Sequence, residues 1–142
     1  MTNNLPRIAI IGGTGSLGSG LAIQWARAGY PVIIGSRLGE KAARAAEQIG
    51  SSNGAPVVQG TDNNTAAARG EIVLITVPFA NHEAILNEIE DAVSGKIVVD
   101  TTVPLMPPKV GTVQLPAAGS AALFTHDVLG AKAEVVSAFH NV

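Results

Sequence analysis

The chain has 142 residues, 46% of them hydrophobic and 14% charged, which suits one globular domain with a single buried core and excludes a disordered chain. Its formal net charge is −2 and its nine basic residues are spread along the sequence, so we expect no basic stripe and no nucleic-acid partner. Because there is no cysteine, disulfides, thiolate metal sites and a cysteine nucleophile are excluded.

Short runs of β-branched residues predict strands buried on both faces, because the runs are continuous and do not alternate with polar residues. They are Ile8–Ile11, Val32–Ile34, Val57–Val58, Ile72–Val77, Ile97–Val99 and Val135–Val136. Ala-rich segments between them predict helices at about 16–28, 39–49, 62–69, 80–93 and 117–129. This alternation indicates an α/β domain over residues 1–142, a doubly wound parallel sheet of about six strands in the order 3-2-1-4-5-6.

A glycine-rich segment joins the first strand to the first helix. Gly13, Gly15 and Gly18 match the pattern G-x-G-x-x-G in the strand-to-helix context that a dinucleotide site requires. The first glycine permits the tight turn, the second lets the backbone approach a pyrophosphate, and the third lets helix and strand pack closely. The start of the helix adds free N–H groups and a positive dipole end for the phosphates. The alternative, a turn that serves packing alone, fits this context less well.

Two helices indicate which of their faces is buried. In the first, Leu17, Leu21 and Trp25 recur every fourth residue and predict an apolar stripe. In the fourth, one face is apolar and the opposite face is polar; the apolar residues are Ile85, Leu86, Ile89 and Val93. We therefore expect the fourth helix to lie on the sheet.

The end of the second strand distinguishes between cofactors. NAD-binding units usually place an Asp or Glu there for the ribose 2′-hydroxyl, and this chain has Gly35, Ser36 and Arg37, followed by Lys41. A hydroxyl, a guanidinium and an ammonium suit a 2′-phosphate, so the sequence favours NADP(H). The alternative is an ordinary solvated pair of cations at a helix start.

Three further segments are expected at the carboxyl edge of the sheet, namely 76–79, 100–104 and 139–142, and the proline-rich stretch 103–116 predicts a loop over that edge. Asp100 and His140 are catalytic candidates, although Asp100 could equally hold its own loop and His140 could equally be structural. A Tyr-x-x-x-Lys pair is excluded, because the only tyrosine, Tyr30, is followed four residues on by Ile34. No serine lies on a nucleophile elbow. Hydride transfer between two stacked cofactors needs few side chains, so no catalytic side chain is predicted.

The remaining features argue against metal and membrane sites. The three histidines show no metal-ligand spacing, and His82 and His126 lie in predicted helices, where we interpret them as structural. The N-terminal residues lack the long apolar stretch of a signal peptide, and no apolar run is long enough to cross a bilayer. We therefore expect a cytoplasmic protein without a membrane partner.

Five segments in order resemble one known family, the NADPH-dependent reductases of coenzyme F420. They are 11–18, the group Gly35-Ser36-Arg37 with Lys41, 76–78, 100–105 and 137–142. The resemblance implies that residues 14–17 hold the pyrophosphate, that Ser36, Arg37 and Lys41 hold the 2′-phosphate, and that Val77 lies beside the nicotinamide. It also implies F420 contacts at His140 and Val142. The complete predicted cofactor-binding set is Gly13, Thr14, Gly15, Ser16, Leu17, Gly18, Ser36, Arg37, Lys41, Val77, Pro78, Val103, His140 and Val142.

The family also implies the reaction and the architecture. Hydride would pass reversibly between C4 of NADP(H) and C5 of the deazaflavin F420, which acts as co-substrate. Family members continue beyond the segment that matches Val142, with helices that help to close the deazaflavin site and form a homodimer. We therefore expect residues 1–142 to be the NADP-binding domain without that C-terminal part.

Two alternatives remain open. Gly12, Gly15 and Gly18 also match G-x-x-G-x-x-G, a spacing found in extended short-chain dehydrogenases and in related redox-sensing regulators. A non-catalytic NADP(H) sensor is therefore the chief alternative. A domain of a flavin- or iron-reducing assembly is the other, and no membrane segment in the sequence supports it.

Overall fold

The structure is a computed structural model that describes residues 4–53 and 58–141, without the side chains of 52 and 53. Val57 and Val142, which belong to the predicted third strand and the predicted F420 contacts, lie outside the described residues. The strands are β1 Ile8–Ile11, β2 Val32–Ser36, β3 Val58–Asp62, β4 Ile72–Ile75, β5 Ile97–Asp100 and β6 Glu134–Ser137. The helices are α1 Ser16–Arg27, α2 Gly39–Asn53, α3 Asn63–Arg69, α4 Phe79–Ile89 and α5 Ala121–Leu129.

The predicted sheet is confirmed. Its six strands have the order β3-β2-β1-β4-β5-β6, and every neighbouring pair is parallel. Ile10 of β1 pairs in register with Ile34 of β2 on one side and with Leu74 of β4 on the other. Since the chain leaves β1 toward β2 and later returns to β4, the carboxyl ends of β1 and β4 form the switch point where ligands bind in this architecture.

Strands β1, β2 and β4 are buried on both faces because helices cover each side of the sheet. The prediction of buried strands is wrong for β3 and β6, whose residues are half-buried or exposed because both strands lie at the edges of the sheet. Alternate residues of β1 belong to two different cores, Ala9 and Ile11 to one and Ile8 and Ile10 to the other. Helices α3, α4 and α5 cover the first core, and α1 and α2 cover the second. The predicted buried face of the fourth helix is confirmed, with Ile85, Leu86, Ile89 and Val93 all buried.

The buried face of α1 differs from the prediction. The buried residues are Gly18, Ala22 and Ala26, while Leu21 and Trp25 are partly buried and pack against the margin of the second core. The helix packs through small residues because it lies very close to the glycine turn. A Cβ added at Gly18 would be 2.7 Å from the Cα of Gly13.

Several helix boundaries are also corrected. The predicted helix 80–93 ends at Ile89, and a 3-10 turn follows at Asp91–Val93. The predicted helix 117–129 begins at Ala121, because Ser120 caps it by accepting a hydrogen bond from the Leu123 N–H at 3.1 Å. The loop 103–116 is folded back on itself by an antiparallel bridge between Leu105 and Val113. Among the described residues, no helix is both long and apolar enough to span a membrane.

Candidate functional site: two clefts at the carboxyl edge of the sheet

The glycine turn after β1 is shaped by its first two residues. Gly12 has φ of +72°, and a Cβ there would lie 2.6 Å from Cγ1 of Val77. Gly13 lacks the left-handed conformation, and its Cβ would lie 2.8 Å from the Ile10 carbonyl oxygen. The tight turn predicted for Gly13 therefore belongs to Gly12, and Gly13 is needed for close backbone packing.

Gly15 differs from the other glycines of the turn. A Cβ there would meet only the Gly12 carbonyl oxygen, at 3.6 Å, which is ordinary contact, and the residue is exposed. It is the N-cap of α1 and offers no side-chain acceptor, so the first-turn N–H groups of Ser16 and Leu17 remain available to an anion. The open space beside Gly15 fits the approach of a pyrophosphate.

A first cleft of about 240 Å³ lies over the switch point. It brings the glycine turn together with the ends of β2 and β4 and the first turns of α3 and α4. Its lining residues are Gly12, Thr14, Gly15, Ser36, Arg37, Lys41, Asn63, Thr76, Val77, Pro78, Asn81 and Ile85.

The β2 side of this cleft is cationic. Ser36 is buried, and its Oγ accepts a hydrogen bond from the Leu38 N–H at 3.3 Å, which leaves the hydroxyl hydrogen for another acceptor. Arg37 and Lys41 are exposed and have no ion-pair partner among the described residues. None of the described lining residues is acidic.

One acidic residue, Asp62, lies beside the end of β2, but its carboxylate is already engaged in hydrogen bonds. Asp62 of β3 pairs in register with Ser36, and its Oδ1 accepts the Thr65 N–H at 2.8 Å as the cap of α3. This backbone hydrogen bond, with a smaller contribution from the Thr61 hydroxyl, lowers the pKa of Asp62. The carboxylate therefore serves the helix and not the cleft.

Asn63 is a site residue that sequence reasoning missed. It is 1% exposed, and its Oδ1 accepts the Gly12 N–H at 3.3 Å, which ties α3 to the glycine turn. The same oxygen explains why residue 35 is a glycine, because an added Cβ at Gly35 would lie 2.9 Å from it. In the sequence Asn63 looks like one more polar residue at a helix start, so only the fold identifies its contact with a turn 51 residues away.

A second cleft, of about 290 Å³ and mostly apolar, lies over the ends of β5 and β6. It is lined by Thr102, Val103, Pro104, Val113, Leu115, Ser120, Ala121, Ala122, Ser137 and His140. His140 is exposed, and its Nδ1 lies 3.3 Å from the Ser137 Oγ. The Thr102 hydroxyl is buried and has no hydrogen-bond partner among the described residues.

A buried polar cluster lies behind the two clefts. The Asp100 carboxylate accepts hydrogen bonds from the His82 Nε2 at 2.8 Å, from the Thr125 hydroxyl, and from the Thr102 N–H at 2.8 Å. Burial raises the pKa of Asp100, but the hydrogen bonds from His82 and Thr125, the electrostatic interaction with His82 and the Thr102 N–H together lower it below the usual value. Asp100 therefore holds its own loop, as one of the two predictions for it stated, and also joins two helices.

The structure divides the predicted cofactor-binding residues into groups. Seven line the first cleft, namely Thr14, Gly15, Ser36, Arg37, Lys41, Val77 and Pro78. Val103 and His140 line the second. Gly13 and Gly18 shape the turn from behind, and Ser16 and Leu17 form the first turn of α1. Their roles toward ligands stay predictions.

The doubly wound sheet with a glycine turn at its switch point is the fold of dinucleotide-binding domains. A family model described as NADP oxidoreductase, coenzyme F420-dependent, matches residues 7–104, which is more than half of the chain. The chain belongs to this family, as the resemblance of its segments predicted.

Relatives and solved structures agree with this assignment. The F420-dependent NADP reductase of Methanocaldococcus jannaschii is 37% identical over 143 aligned residues, which cover 96% of this chain and 63% of that protein. The F420-dependent NADP reductase of Methanothermobacter thermautotrophicus is 45% identical over 101 residues, or 70% of this chain and 44% of that protein. A crystal structure of a putative F420-dependent NADP reductase from Arthrobacter sp. FB24 superposes with a TM-score of 0.77 at 27% identity, covering 93% of this chain and 61% of that one. The matched part of the chain thus spans between 44% and 63% of the length of these proteins.

Proposed function

We propose that the first cleft binds NADP(H) and that the domain exchanges hydride between this nucleotide and the deazaflavin coenzyme F420. The observation that carries the proposal is the cationic β2 side of the first cleft, where Ser36, Arg37 and Lys41 stand without an acidic lining residue. A 2′-phosphate would bring its negative charge there, and the glycine turn with the first N–H groups of α1 would receive the pyrophosphate.

We assign the second cleft to the deazaflavin F420. β4 and β5 are neighbouring parallel strands, so the segments that follow them, with Val77 and Val103, leave the sheet side by side. A flat, largely apolar ring in the second cleft would lie next to a nicotinamide at Val77, and stacking of the two rings is the main requirement for hydride transfer. The residues that line the first cleft would hold the nicotinamide and those that line the second would hold the deazaflavin. Bound there, the two ligands would supply hydride exchange between C4 of the nicotinamide and C5 of the deazaflavin, with one proton from solvent to balance the reaction. The names of the relatives support this pair of cofactors.

The proposed activity is tested by mixing the protein with NADPH and oxidised F420 and following the visible absorbance of the deazaflavin. We expect bleaching that depends on both NADPH and protein. The Methanocaldococcus jannaschii relative serves as the positive control. A protein that binds NADPH and bleaches no F420 would contradict the proposal and favour the alternative function, a non-catalytic NADP(H) sensor.

We further propose a cytoplasmic location and, for longer family members, a homodimer.

The choice of NADP(H) over NAD(H) is tested by Arg37→Ala. Loss of hydrogen bonds to a charged phosphate should weaken NADPH binding by about 1.5–3 kcal/mol and leave NADH binding nearly unchanged. Arg44→Ala is the matched control, because Arg44 is an exposed arginine of α2 whose partner is Glu40 and which does not line the cleft. Both affinities can be read by fluorescence titration. Equal losses for the two cofactors would refute the assignment.

A further inference from the structure

The Asp100 carboxylate joins four parts of the molecule in one buried cluster. Asp100 ends β5, His82 lies in α4, Thr125 lies in α5, and Thr102 lies in the turn after β5. The side chains of His82 and Asp100 are each 1% exposed, and Thr125 is fully buried. Phe79 and Phe124 flank the His82 ring with centroid distances of 5.9 and 5.8 Å. Such a cluster can hold its elements in one fixed arrangement, because each bond would be costly to break in the dry interior.

The elements that meet at Asp100 carry the walls of both clefts. On the side of the first cleft, α4 contributes Asn81 and Ile85, the neighbours of His82 on that helix. On the side of the second cleft, the turn contributes residues 102–104 and α5 contributes residues 121 and 122, one turn before Thr125. The carboxylate is therefore hydrogen-bonded to one wall of the first cleft and to two walls of the second.

A further hydrogen bond holds the ends of β4 and β5 together and does not join these walls. The Thr101 hydroxyl donates to the Ile75 carbonyl at 2.7 Å and fastens β5 to β4. Neither residue reaches α4 or α5 through this bond. The Thr125 Oγ1 also lies 3.0 Å from the His82 Nε2, which joins the two helices directly, while the link from both helices to the turn passes through Asp100.

We propose that Asp100, with His82 and Thr125, is a positioning residue that sets the separation between the two clefts and thereby the distance across which hydride is transferred. The inference rests on the proposed function. None of the three residues touches either cleft, so they act through the walls they hold. Hydride transfer is sensitive to this separation, since a misplacement of about 1 Å can cost about a hundredfold in rate.

Thr125→Val is the principal test, because valine keeps the shape and removes the hydroxyl that bonds to Asp100 and contacts the His82 Nε2. With NADPH and F420 both saturating, we expect the single-turnover rate of hydride transfer to fall by about tenfold to a hundredfold, while the dissociation constant for NADPH changes by less than about twofold. Thr125→Ser, which keeps the hydroxyl, should restore the rate to within about threefold of the wild type. Asp100→Asn is the second variant if Thr125→Val does not fold.

Lys96→Met is the matched control for loss of stability alone. Lys96 precedes the opposite end of β5, and its Nζ donates to the carbonyls of Ala67 and Ala68 at 2.7 Å each, so the variant loses two hydrogen bonds, one of them part-buried, at residues that line neither cleft. We expect it to unfold at a lower temperature and to transfer hydride at the wild-type rate. A rate loss in Lys96→Met as large as in Thr125→Val, or an unchanged rate in Thr125→Val, would overturn the inference.

Hydrogen exchange separates this inference from the proposed function. The Thr102 N–H donates to Asp100, so its exchange should be about tenfold faster in Thr125→Val, whereas the Thr101 N–H, bonded to the Ile75 carbonyl, should keep its wild-type rate. A wild-type protein that transfers no hydride to F420 overturns the proposed function and with it the catalytic purpose of the cluster. An active wild type in which Thr125→Val leaves Thr102 exchange unchanged overturns the inference alone.

Discussion

Single residues of the glycine turn serve different physical purposes although the motif treats them alike. Gly18 is buried, and an added Cβ would lie 2.7 Å from both the Gly13 Cα and the Thr76 Oγ1. Gly15 is exposed, and among the described residues an added Cβ there would meet only the Gly12 carbonyl oxygen, at an ordinary contact distance of 3.6 Å. The fold thus requires glycine at position 18. At position 15 the fold tolerates a side chain, and glycine is needed only for the proposed ligand to approach the backbone.

Alanine should therefore act mainly on stability at Gly18 and mainly on NADPH binding at Gly15. Gly18→Ala should lower the free energy of unfolding by about 1–2 kcal/mol, because overpacking against backbone outweighs the helix propensity of alanine. Gly15→Ala should cost about 1 kcal/mol of stability or less and weaken NADPH binding at least about tenfold. Urea unfolding and NADPH titration measure the two quantities. Weaker binding in Gly18→Ala with full binding in Gly15→Ala would contradict this division.

At the scale of elements, α3 depends on its cap because it is only seven residues long. A helix this short is marginal by itself, so the Asp62 carboxylate that accepts the Thr65 N–H contributes a large part of its local stability. The same helix carries Asn63, which holds the glycine turn. The order of α3 and the shape of the first cleft are therefore coupled.

Asp62→Ala should lower the free energy of unfolding by about 1 kcal/mol at neutral pH. The hydrogen bond from the Thr65 N–H lowers the pKa of Asp62 below its ordinary 3.8, so the stabilisation is present above that value and is lost as the pH falls through the folded-state pKa. The difference between wild type and Asp62→Ala should thus shrink on acidification below about pH 4. Asp62→Asn, which keeps an acceptor oxygen, is the control and should hold much of the stability without this pH dependence. A gap between wild type and Asp62→Ala that stays constant to low pH would refute the explanation.

Elements also show where local sequence reasoning reaches its limit. The apolar face of α4 was predictable because Ile85, Leu86 and Ile89 point to one side of a helix that lies on the sheet. The stripe of Leu17, Leu21 and Trp25 in α1 was misleading, since the helix packs through Gly18, Ala22 and Ala26. Hydropathy favours the large residues, but at Gly18 the close approach of α1 to the turn leaves no room for a side chain.

At the scale of the whole molecule, one sheet carries both clefts, so a ligand in the first cleft should stabilise the entire domain. NADPH at about a hundred times its dissociation constant should raise the free energy of unfolding by about 2.7 kcal/mol and the melting temperature by about 5–10 °C, in a single transition. NADH at the same concentration should give a much smaller shift. Calorimetry that shows equal shifts, or a second transition that NADPH does not move, would contradict this expectation.

The sequence by itself determined the strand order, the glycine turn and the chemistry of Ser36, Arg37 and Lys41, because these depend on local patterns: β-branched runs, a strand-to-helix turn, and cations where an acid is usual. The tertiary structure alone decided that Gly12 makes the left-handed turn, that Asn63 supports it, and that His82, Asp100 and Thr125 form one cluster. These contacts join residues 18 to 51 positions apart, and a side chain's partner at that distance depends on how helices dock on the sheet. His82 and Thr125 look like ordinary helix residues until the sheet places both of them against the end of β5.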